Sequence, residues 1–409
     1  MISEKLVSIF GLVFVVSYVA KYVGPSIFGQ ISMSMSLFQI IQIISQFGSD
    51  VVIFKRVSKN HDSGVRLMKS TFPIRFFVYL LLSIPILIYA YNENSHSGFI
   101  FVLACFFACF FSSLDVYSLY FDSVLKSINN TFANVFGLLV SLLVRWLIVF
   151  FGLKYVYLSI PIVLSGLIPL VIRFFIFKVK VGIPTVIGNH KNKYQKYLLS
   201  TGFSFVISTV SVAIYTRISM LILGYIDGSS VAGVFSIAAT LSTSWAFILN
   251  SIIVSTLPSI FSEKDDYLAM IKSSRLSLLI VSLSFVVILF IYFFSGYFIS
   301  EFYGASYSGA RGPLIILSFS TMISALGTIS ARFIARSSGY AFLSKKMFFV
   351  AVVSCILNFL LINALGIYGA AFSTLITEIL SLTVFNYFFM GGVVLKLHLN
   401  IFNLKNHGK

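Results

Sequence analysis

The stretch Lys21–Gln30, KYVGPSIFGQ, lies between two long apolar runs near the start of the chain. Its glycines Gly24 and Gly29 are five positions apart, as in a nucleotide-binding P-loop, but that loop needs Lys-Ser/Thr directly after the second glycine. That pair is absent here, which argues against nucleotide binding. Gly24 can adopt a positive φ to end one helix, Pro25 cannot continue it, and Ser26 can cap the next. The stretch therefore predicts a tight hairpin between two helices.

The composition excludes a soluble globular protein. Of 409 residues, 58% are hydrophobic and 10% are charged, whereas soluble proteins carry about 25% charged residues. Apolar runs of roughly 20 residues, each able to cross about 30 Å of hydrocarbon as a helix, recur throughout. Twelve such runs are centred near residues 14, 42, 82, 110, 142, 167, 212, 246, 287, 323, 356 and 380. The first lacks a basic n-region and an A-x-A cleavage site, so we expect a retained span and not a signal peptide.

The formal charge of +17 indicates how the chain is oriented in the membrane before it indicates a binding partner. Segments on one side of the predicted membrane hold 24 of the 29 basic residues. The loops on the other side hold only Lys21, Lys154 and Arg311. The positive-inside rule then places both termini in the cytoplasm. We expect a multi-pass membrane protein with no nucleic-acid partner.

The predicted fold is an all-α integral membrane protein with two six-helix bundles around a central cavity. The first bundle would be 1–178, and the second would be 197–409 with a short cytoplasmic tail. A cytoplasmic linker, 179–196, would join the two bundles. Because six is even, both bundles have the same orientation, and a pseudo-two-fold axis along the membrane normal would relate them. A weak internal repeat supports this duplication, since Ser26–Ser32 (SIFGQIS) resembles Ser230–Ser236 (SVAGVFS).

Four stretches together resemble bacterial polysaccharide-unit flippases of the O-antigen (Wzx) type, in the superfamily that also holds multidrug and toxin extruders. The N-terminal signature is AKYVGPSIFGQISMSMSLFQIIQIISQFGSDVVIFKRVSK, Ala20 to Lys59. Tyr215 to Ser242 resembles the family's seventh and eighth helices, and EFYGASYSGA, Glu301 to Ala310, its YGxxY turn. NFLLINALGIYGAAFSTLITE, Asn358 to Glu378, resembles its closing pattern. The motifs occur in the family's order and cover most of the chain.

Two departures limit what the resemblance transfers. The family often has Asp directly after the arginine of its seventh helix, whereas here Ser219 stands two places beyond Arg217 and no acid is nearby. Asn363 keeps its place in the closing pattern, but the proline that follows it in the family is missing. A role of that aspartate cannot be carried over.

The resemblance implies a non-enzymatic flippase of the bacterial inner membrane. Its substrate would be an undecaprenyl-diphosphate-linked oligosaccharide, moved to the periplasmic leaflet by alternating access for O-antigen, lipopolysaccharide or other polysaccharide biosynthesis. Further partners would be membrane lipids and other polysaccharide-assembly membrane proteins. No cofactor is expected, and because no nucleotide site exists, energy would come from substrate supply or from a proton or sodium gradient.

Two rival functions stay open on sequence alone. The first is a cation-coupled multidrug or toxin extruder of the same fold. The second is a membrane polysaccharide polymerase or glycosyltransferase, which usually needs a long external loop with catalytic charges. The predicted external loops are short and hold few charges, namely Glu93, Lys154, Asp227, Glu301 and Arg311.

Five basic residues are candidates for binding the substrate diphosphate. Arg217 lies about 15 Å inward from Asp227 along a helix, where its guanidinium could grip a diphosphate bidentately. Arg145 and Lys21 would either face the cavity or extend toward the outer surface as snorkelling side chains. Arg332 and Arg336, four residues apart, would draw in an anionic headgroup or serve only as topology determinants.

Three acids within apolar runs are candidates for ion coupling, because charges at membrane depth are costly. Glu378 lies roughly 14 Å inward from Gly369 and is the deepest of them. For Asp50 and Asp115, a polar contact between helices is an equally good interpretation. No metal site is predicted, since the histidines lie in loops and Cys105, Cys109 and Cys355 fall inside apolar runs.

Overall fold

The structure is a computed structural model that describes residues 10–93, 95–181 and 191–401, without the side chains of residues 12, 191–205 and 401. This part of the chain is helical and contains no strand. Ten of its helices are long and apolar enough to cross a membrane. The first and last are interrupted at Gly24 and Gly366, which leave the helical φ/ψ region. Counting the segments on both sides of each interruption gives the twelve predicted helices.

The chain divides into two compact units, Met1–Arg217 and Ile218–Lys409. The division falls inside one long helix, Lys191–Ile226. Residues 182–190, within the predicted linker 179–196, lie outside the described residues.

The N-terminal unit contains α1 to α7 and most of α8. A π-helical turn, Gly11–Val16, precedes α1. The helices are α1 Ser17–Gln46, α2 Ser49–Lys59, α3 His61–Glu93, α4 His96–Leu114, α5 Tyr117–Ser123, α6 Ile128–Phe150, α7 Ser159–Val181 and α8 Lys191–Ile226.

The C-terminal unit contains the end of α8 and seven further helices among the described residues. These are α9 Ser229–Ser244, α10 Ala246–Phe261, α11 Asp266–Phe298, α12 Arg311–Arg336, α13 Tyr340–Leu382, α14 Val384–Tyr387 and α15 Val393–Ile401. Short π and 3₁₀ turns, Ile299–Tyr303 and Ala305–Ala310, connect α11 to α12.

Gly24 and Gly228 adopt nearly the same unusual backbone conformation. Gly24 has φ 74° and ψ 170°, and Gly228 has φ 89° and ψ 169°. This region is essentially restricted to glycine. Each glycine lies two residues before the first serine of the repeated pattern, Ser26 and Ser230. The predicted positive φ at Gly24 is confirmed, and its recurrence at Gly228 supports an internal duplication.

The second apolar run ends earlier than predicted. Phe47 and Gly48 have φ of 50° and 61°, and this turn ends α1 at Gln46. The residues that follow form the separate helix α2 and not the inner half of a span centred near residue 42. The buried face of α2 consists of Val52, Ile53 and Val57, whereas Lys55 and Lys59 are exposed.

Close packing in the N-terminal unit brings α4 against α7. A side chain at Gly166 of α7 would collide with the main chain of Ala108 in α4. The apolar core around this contact includes Phe38, Tyr79 and Phe106, all 6% exposed or less. Polar residues at the ends of these same helices lie together just beyond the core.

Candidate functional site

Arg75 of α3 is held at the end of the N-terminal unit that the basic loops predict to be cytoplasmic. It is 1% exposed. Its Nη2 donates to Asp50 Oδ1 at 2.5 Å and to Ser49 Oγ at 2.5 Å. Its Nη1 donates to the Ser113 carbonyl at 3.0 Å. Charge-assisted hydrogen bonds of this kind are stronger than neutral ones, so Arg75 ties α3 to α2 and α4.

Arg173 of α7 forms a second ion pair nearby. It is 5% exposed, and its Nη1 donates to Asp115 Oδ2 while Nη2 donates to Asn134 Oδ1. Asp115 follows the last residue of α4, and its other oxygen accepts from the Ser118 N–H at 3.4 Å. The buried Nε of Arg173 has no hydrogen-bond partner among the described residues.

A cavity of about 280 Å³ opens between these two ion pairs. We call it the inner pocket, and all its lining residues belong to the N-terminal unit. Two arginines and two aspartates supply the charges of its wall, which therefore sum to zero. The neutral polar lining consists of Gln42, Gln46, Ser112, Ser118, Asn134 and Ser165.

The structure places Asp50 and Asp115 in interhelical ion pairs, one of the two interpretations left open by the sequence. Arg75 and Arg173 are among the 24 basic residues that the sequence places on the predicted inner side, and the structure corrects that placement. Both are buried inside helices, where a carboxylate distant in sequence neutralises each one. A signal was present, since each arginine has apolar residues directly on both sides.

Arg145 of α6 and Arg217 of α8 differ from these paired arginines. Within the described ranges, no carboxylate lies within ion-pair distance of either one. Arg145 is within electrostatic range of Cys105, and Arg217 is within electrostatic range of Cys109. These two thiols are four residues apart on α4 and so lie on one face. The structure thus brings two predicted substrate-binding arginines toward the same face of one helix.

The other three predicted cations are not grouped with them. Lys21 is exposed, near the Gly24 interruption. Arg336 is already bound, since Nη1 donates to Asp266 Oδ1 at 2.5 Å and Nη2 donates to the Glu263 carbonyl at 2.7 Å. Arg332 lies one turn earlier on α12 and is exposed.

Glu378 belongs to a separate polar group in the C-terminal unit. It shares a hydrogen bond with Ser324 of α12 and is within electrostatic range of Lys346. Lys346 is 4% exposed, and its Nζ donates to Asn386 Oδ1 at 2.9 Å. The sequence places Lys346 among the basic residues on the predicted cytoplasmic side of the membrane and gives it no other role. In the described part of the chain, no three His, Cys, Asp or Glu side chains converge as metal ligands.

The sequence model of a family described as "polysaccharide biosynthesis protein" matches residues 1–264. The chain belongs to this family. No curated protein sequence matches this polysaccharide biosynthesis protein significantly.

Solved structures that resemble this chain in fold include transporters. The lipid II flippase MurJ in an inward closed conformation has 15% identity and a TM-score of 0.69, covering 99% of this chain and 91% of its own. An inward-facing multidrug resistance MATE family transporter of the MOP superfamily has 15% identity and a TM-score of 0.68, and the match covers 96% of this chain and 94% of the transporter. A MOP superfamily transporter from Pyrococcus furiosus has 11% identity and a TM-score of 0.57, and the match covers 98% of this chain and 94% of the transporter. The fold of this polysaccharide biosynthesis protein is therefore that of a MOP superfamily transporter.

The positions where this family member departs from the expected pattern make local contacts. Ser219 Oγ lies 3.1 Å from Thr374 Oγ1, which links α8 to the second segment of α13. Asn363 Nδ2 donates to the Phe359 carbonyl at 2.7 Å within α13.

Proposed function

We propose that this polysaccharide biosynthesis protein is a flippase that carries undecaprenyl-diphosphate-linked oligosaccharide repeat units across the bacterial inner membrane. The glycan would be a repeat unit of O-antigen or of another surface polysaccharide. The family match and the likeness in fold to a lipid II flippase support transport of a lipid-linked saccharide. The signature from Ala20 to Lys59 supports the polysaccharide-unit branch.

The observation that carries the proposal is the uncompensated charge of Arg145 and Arg217. A charged side chain at the bilayer centre costs about 2.5–3.5 kcal/mol on insertion scales, so such residues usually face water or a partner. The two guanidiniums approach one face of α4, and no described carboxylate neutralises them. Guanidinium binds phosphate oxygens bidentately. A diphosphate headgroup supplies the negative charge that this site lacks.

A cation extruder of the same fold is the runner-up, and the charges favour the flippase. An organic cation would be bound by a carboxylate that has no cationic partner. Asp50 and Asp115 are each bound to an arginine, and Glu378 is within range of Lys346. A polymerase is less favoured still, because the short predicted external loops offer few catalytic charges.

We assign ion coupling, if transport uses it, to Glu378 before the other two acids. A coupling ion at Asp50 or Asp115 would have to displace a guanidinium that is hydrogen-bonded to the carboxylate. Lys346 acts on Glu378 only from within electrostatic range, since its Nζ donates to Asn386. Transport in proteoliposomes should then respond to an imposed proton or sodium gradient and lose that response in Glu378→Gln. Gradient-independent transport by the unaltered protein would contradict the assignment.

The test is export of surface polysaccharide by cells that carry variants in place of the chromosomal gene. Arg217→Ala should lower export at least tenfold, since a hydrogen bond to a charged group contributes about 1.5–3 kcal/mol. Arg217→Lys should retain part of the export because it keeps the charge but loses the bidentate geometry. Arg311→Ala is the matched control, because Arg311 is exposed at the start of α12. Wild-type export in Arg217→Ala, with normal protein in the membrane, would show that Arg217 is not essential to the transport path and would contradict its role in binding the diphosphate.

Deleting the gene separates the two rival substrates. Loss of surface polysaccharide, restored by a flippase of known glycan specificity, is expected for the flippase. Altered drug sensitivity with intact polysaccharide is the result expected for an extruder.

A further inference from the structure

Three glutamines lie on one stripe of α1. Gln39, Gln42 and Gln46 are spaced by three and four residues, which places them on the same helical face. Gln42 and Gln46 line the inner pocket, and their side chains form no hydrogen bond with any other described residue. Gln39 is one turn away, and its buried Oε1 has no hydrogen-bond partner in the described chain. Burying an amide without a partner is unfavourable, so this stripe indicates a polar ligand.

The charges of the inner pocket do not favour an ionic ligand. Each arginine of the wall already has its carboxylate, so an added phosphate meets no net positive charge. The groups of the wall that can still form hydrogen bonds include the two neutral glutamine amides and the buried Nε of Arg173, whose other nitrogens are already bonded. Amides and hydroxyls both donate and accept, and so does every hydroxyl group of a sugar. The lining therefore matches a neutral polyhydroxylated ligand.

The size of the inner pocket suits a small ligand of this kind. Its volume of about 280 Å³ is close to the lower limit of the roughly 300–1,000 Å³ typical of small-molecule sites. Such sites are usually lined by apolar and aromatic side chains, whereas this lining contains no aromatic residue. Recognition would thus rest on hydrogen bonds, with room for a sugar ring and not for a whole repeat unit.

The inner pocket also lies at a suitable distance from the two uncompensated arginines. Cys109, the thiol near Arg217, contacts Met35 of α1 at 3.7 Å. Gln42 is seven residues further along α1, which corresponds to roughly 10 Å of helix rise. A ligand that places its diphosphate near Arg217 could extend a sugar toward Gln42.

We propose that the inner pocket is a saccharide subsite that binds one sugar ring of the lipid-linked glycan. Gln42, Gln46 and Asn134 supply amide groups to the ring hydroxyls, and Arg173 donates through Nε. The proposal rests on the flippase function for the origin of the sugar. Binding of the sugar itself depends only on the inner pocket.

The experiment measures sugar binding to the purified full-length protein in nanodiscs by saturation-transfer NMR. The probes are free neutral monosaccharides, namely glucose, galactose, rhamnose, N-acetylglucosamine and N-acetylgalactosamine, and the oligosaccharide released by mild acid from the host's surface polysaccharide. At least one probe should bind, and the double variant Gln42→Leu/Gln46→Leu should weaken its binding at least tenfold. Leucine is similar to glutamine in bulk and suits a membrane helix, so the variant should fold.

Gln30→Leu is the matched control, because it makes the same change in the same helix outside the inner pocket. It should bind the sugar as the unaltered protein does. Inorganic phosphate should not displace the sugar. The inference is overturned if no probe binds, if the double variant binds equally well, or if phosphate competes.

Export in cells separates this inference from the flippase proposal. Sugar binding that depends on Gln42 and Gln46, together with surface polysaccharide that persists after deletion of the gene, would remove the flippase function and leave the inner pocket as a site for free sugar. Export that fails in Arg217→Ala, together with unchanged sugar binding in the glutamine variant, would remove only the saccharide subsite.

Discussion

At the scale of single residues, the charge of Arg173 depends on one carboxylate. Its Nη1 donates to Asp115, and both side chains are less than a tenth exposed. Removing one partner of a buried ion pair costs about 3–5 kcal/mol, because the remaining charge stays buried without compensation. Asp115→Asn should therefore lower the unfolding temperature of the purified protein in detergent.

The control for this prediction is Asp62→Asn, since the Asp62 side chain is 85% exposed and exposed charge pairs contribute little. The double variant Asp115→Leu/Arg173→Leu should recover most of the lost stability, because replacing both charges removes the unpaired one. An unfolding temperature of Asp115→Asn equal to that of the Asp62 variant would contradict this view of the pair.

His398 of α15, outside the membrane spans, gives the chain a local pH dependence. Its ring nitrogens lie 3.1 Å from Ser330 Oγ and 3.1 Å from Tyr387 Oη. Burial lowers the pKa of His398 to about 4, below the ordinary value of about 6.5. His398 therefore stays neutral when α15 is docked against Ser330 and Tyr387, whereas it binds a proton when α15 is undocked. Docking of α15 should weaken as the pH falls from about 6.5 to about 4.

Hydrogen exchange in Val393–Ile401 measures this docking. Exchange corrected for intrinsic rate should be faster at pH 5 than at pH 7.5. His398→Asn, which keeps a polar side chain without titrating, should exchange with no such difference. Equal protection of the unaltered segment at both pH values would argue against a neutral, docked His398.

At the scale of elements, the turn before α9 depends on the backbone of Gly228. A side chain there would meet open space, so the cost of a substitution comes from the backbone alone. Non-glycine residues in this φ/ψ region cost of order 1–3 kcal/mol. Gly228→Ala should thus lower the unfolding temperature, and Gly24→Ala should do the same by a similar amount.

Gly327→Ala is the control for both glycine variants. Gly327 lies inside α12, and its added methyl group would also meet open space, but its backbone is helical. This substitution should be neutral or slightly stabilising, since alanine favours a helix over glycine. A loss in the Gly327 variant as large as that in Gly228→Ala would show that backbone conformation is not the cause.

At the scale of the whole molecule, the distribution of basic residues predicts which loops face the cytoplasm. Lys154 and Lys264 are both exposed in connections between helices, and the predicted topology places them on opposite sides. In intact cells, a membrane-impermeant maleimide should label Lys154→Cys and not Lys264→Cys, with the reverse pattern in inside-out vesicles. The native cysteines lie within spans, which keeps background labelling low. Labelling of Lys264→Cys in intact cells would show that the predicted orientation in the membrane is wrong.

The helices of this protein could be predicted from the sequence, whereas its ion pairs could not. A span satisfies its own backbone hydrogen bonds, so an apolar run of sufficient length is enough to identify it. The positive φ of Gly24 likewise follows from the local pair Gly24-Pro25. By contrast, Arg75 and Arg173 pair with carboxylates 25 and 58 residues away. Local composition assigns such arginines to the cytoplasmic side, and only the packing of several helices brings their partners to them.

Arg173 follows Asp115 by 58 positions in the chain, and this separation also sets an order of events during synthesis. At about 5–20 residues per second, roughly 3 to 12 s separate the emergence of the carboxylate from that of its guanidinium. During that interval α4 enters the membrane with a terminal carboxylate whose hydrogen-bonding guanidinium has not yet been made, and only the electrostatic effect of Arg75 offsets its charge. We expect the inner end of α4 to stay near water or the insertion machinery until α7 arrives. The arrival of α7 would then complete this ion pair within the spans made before it.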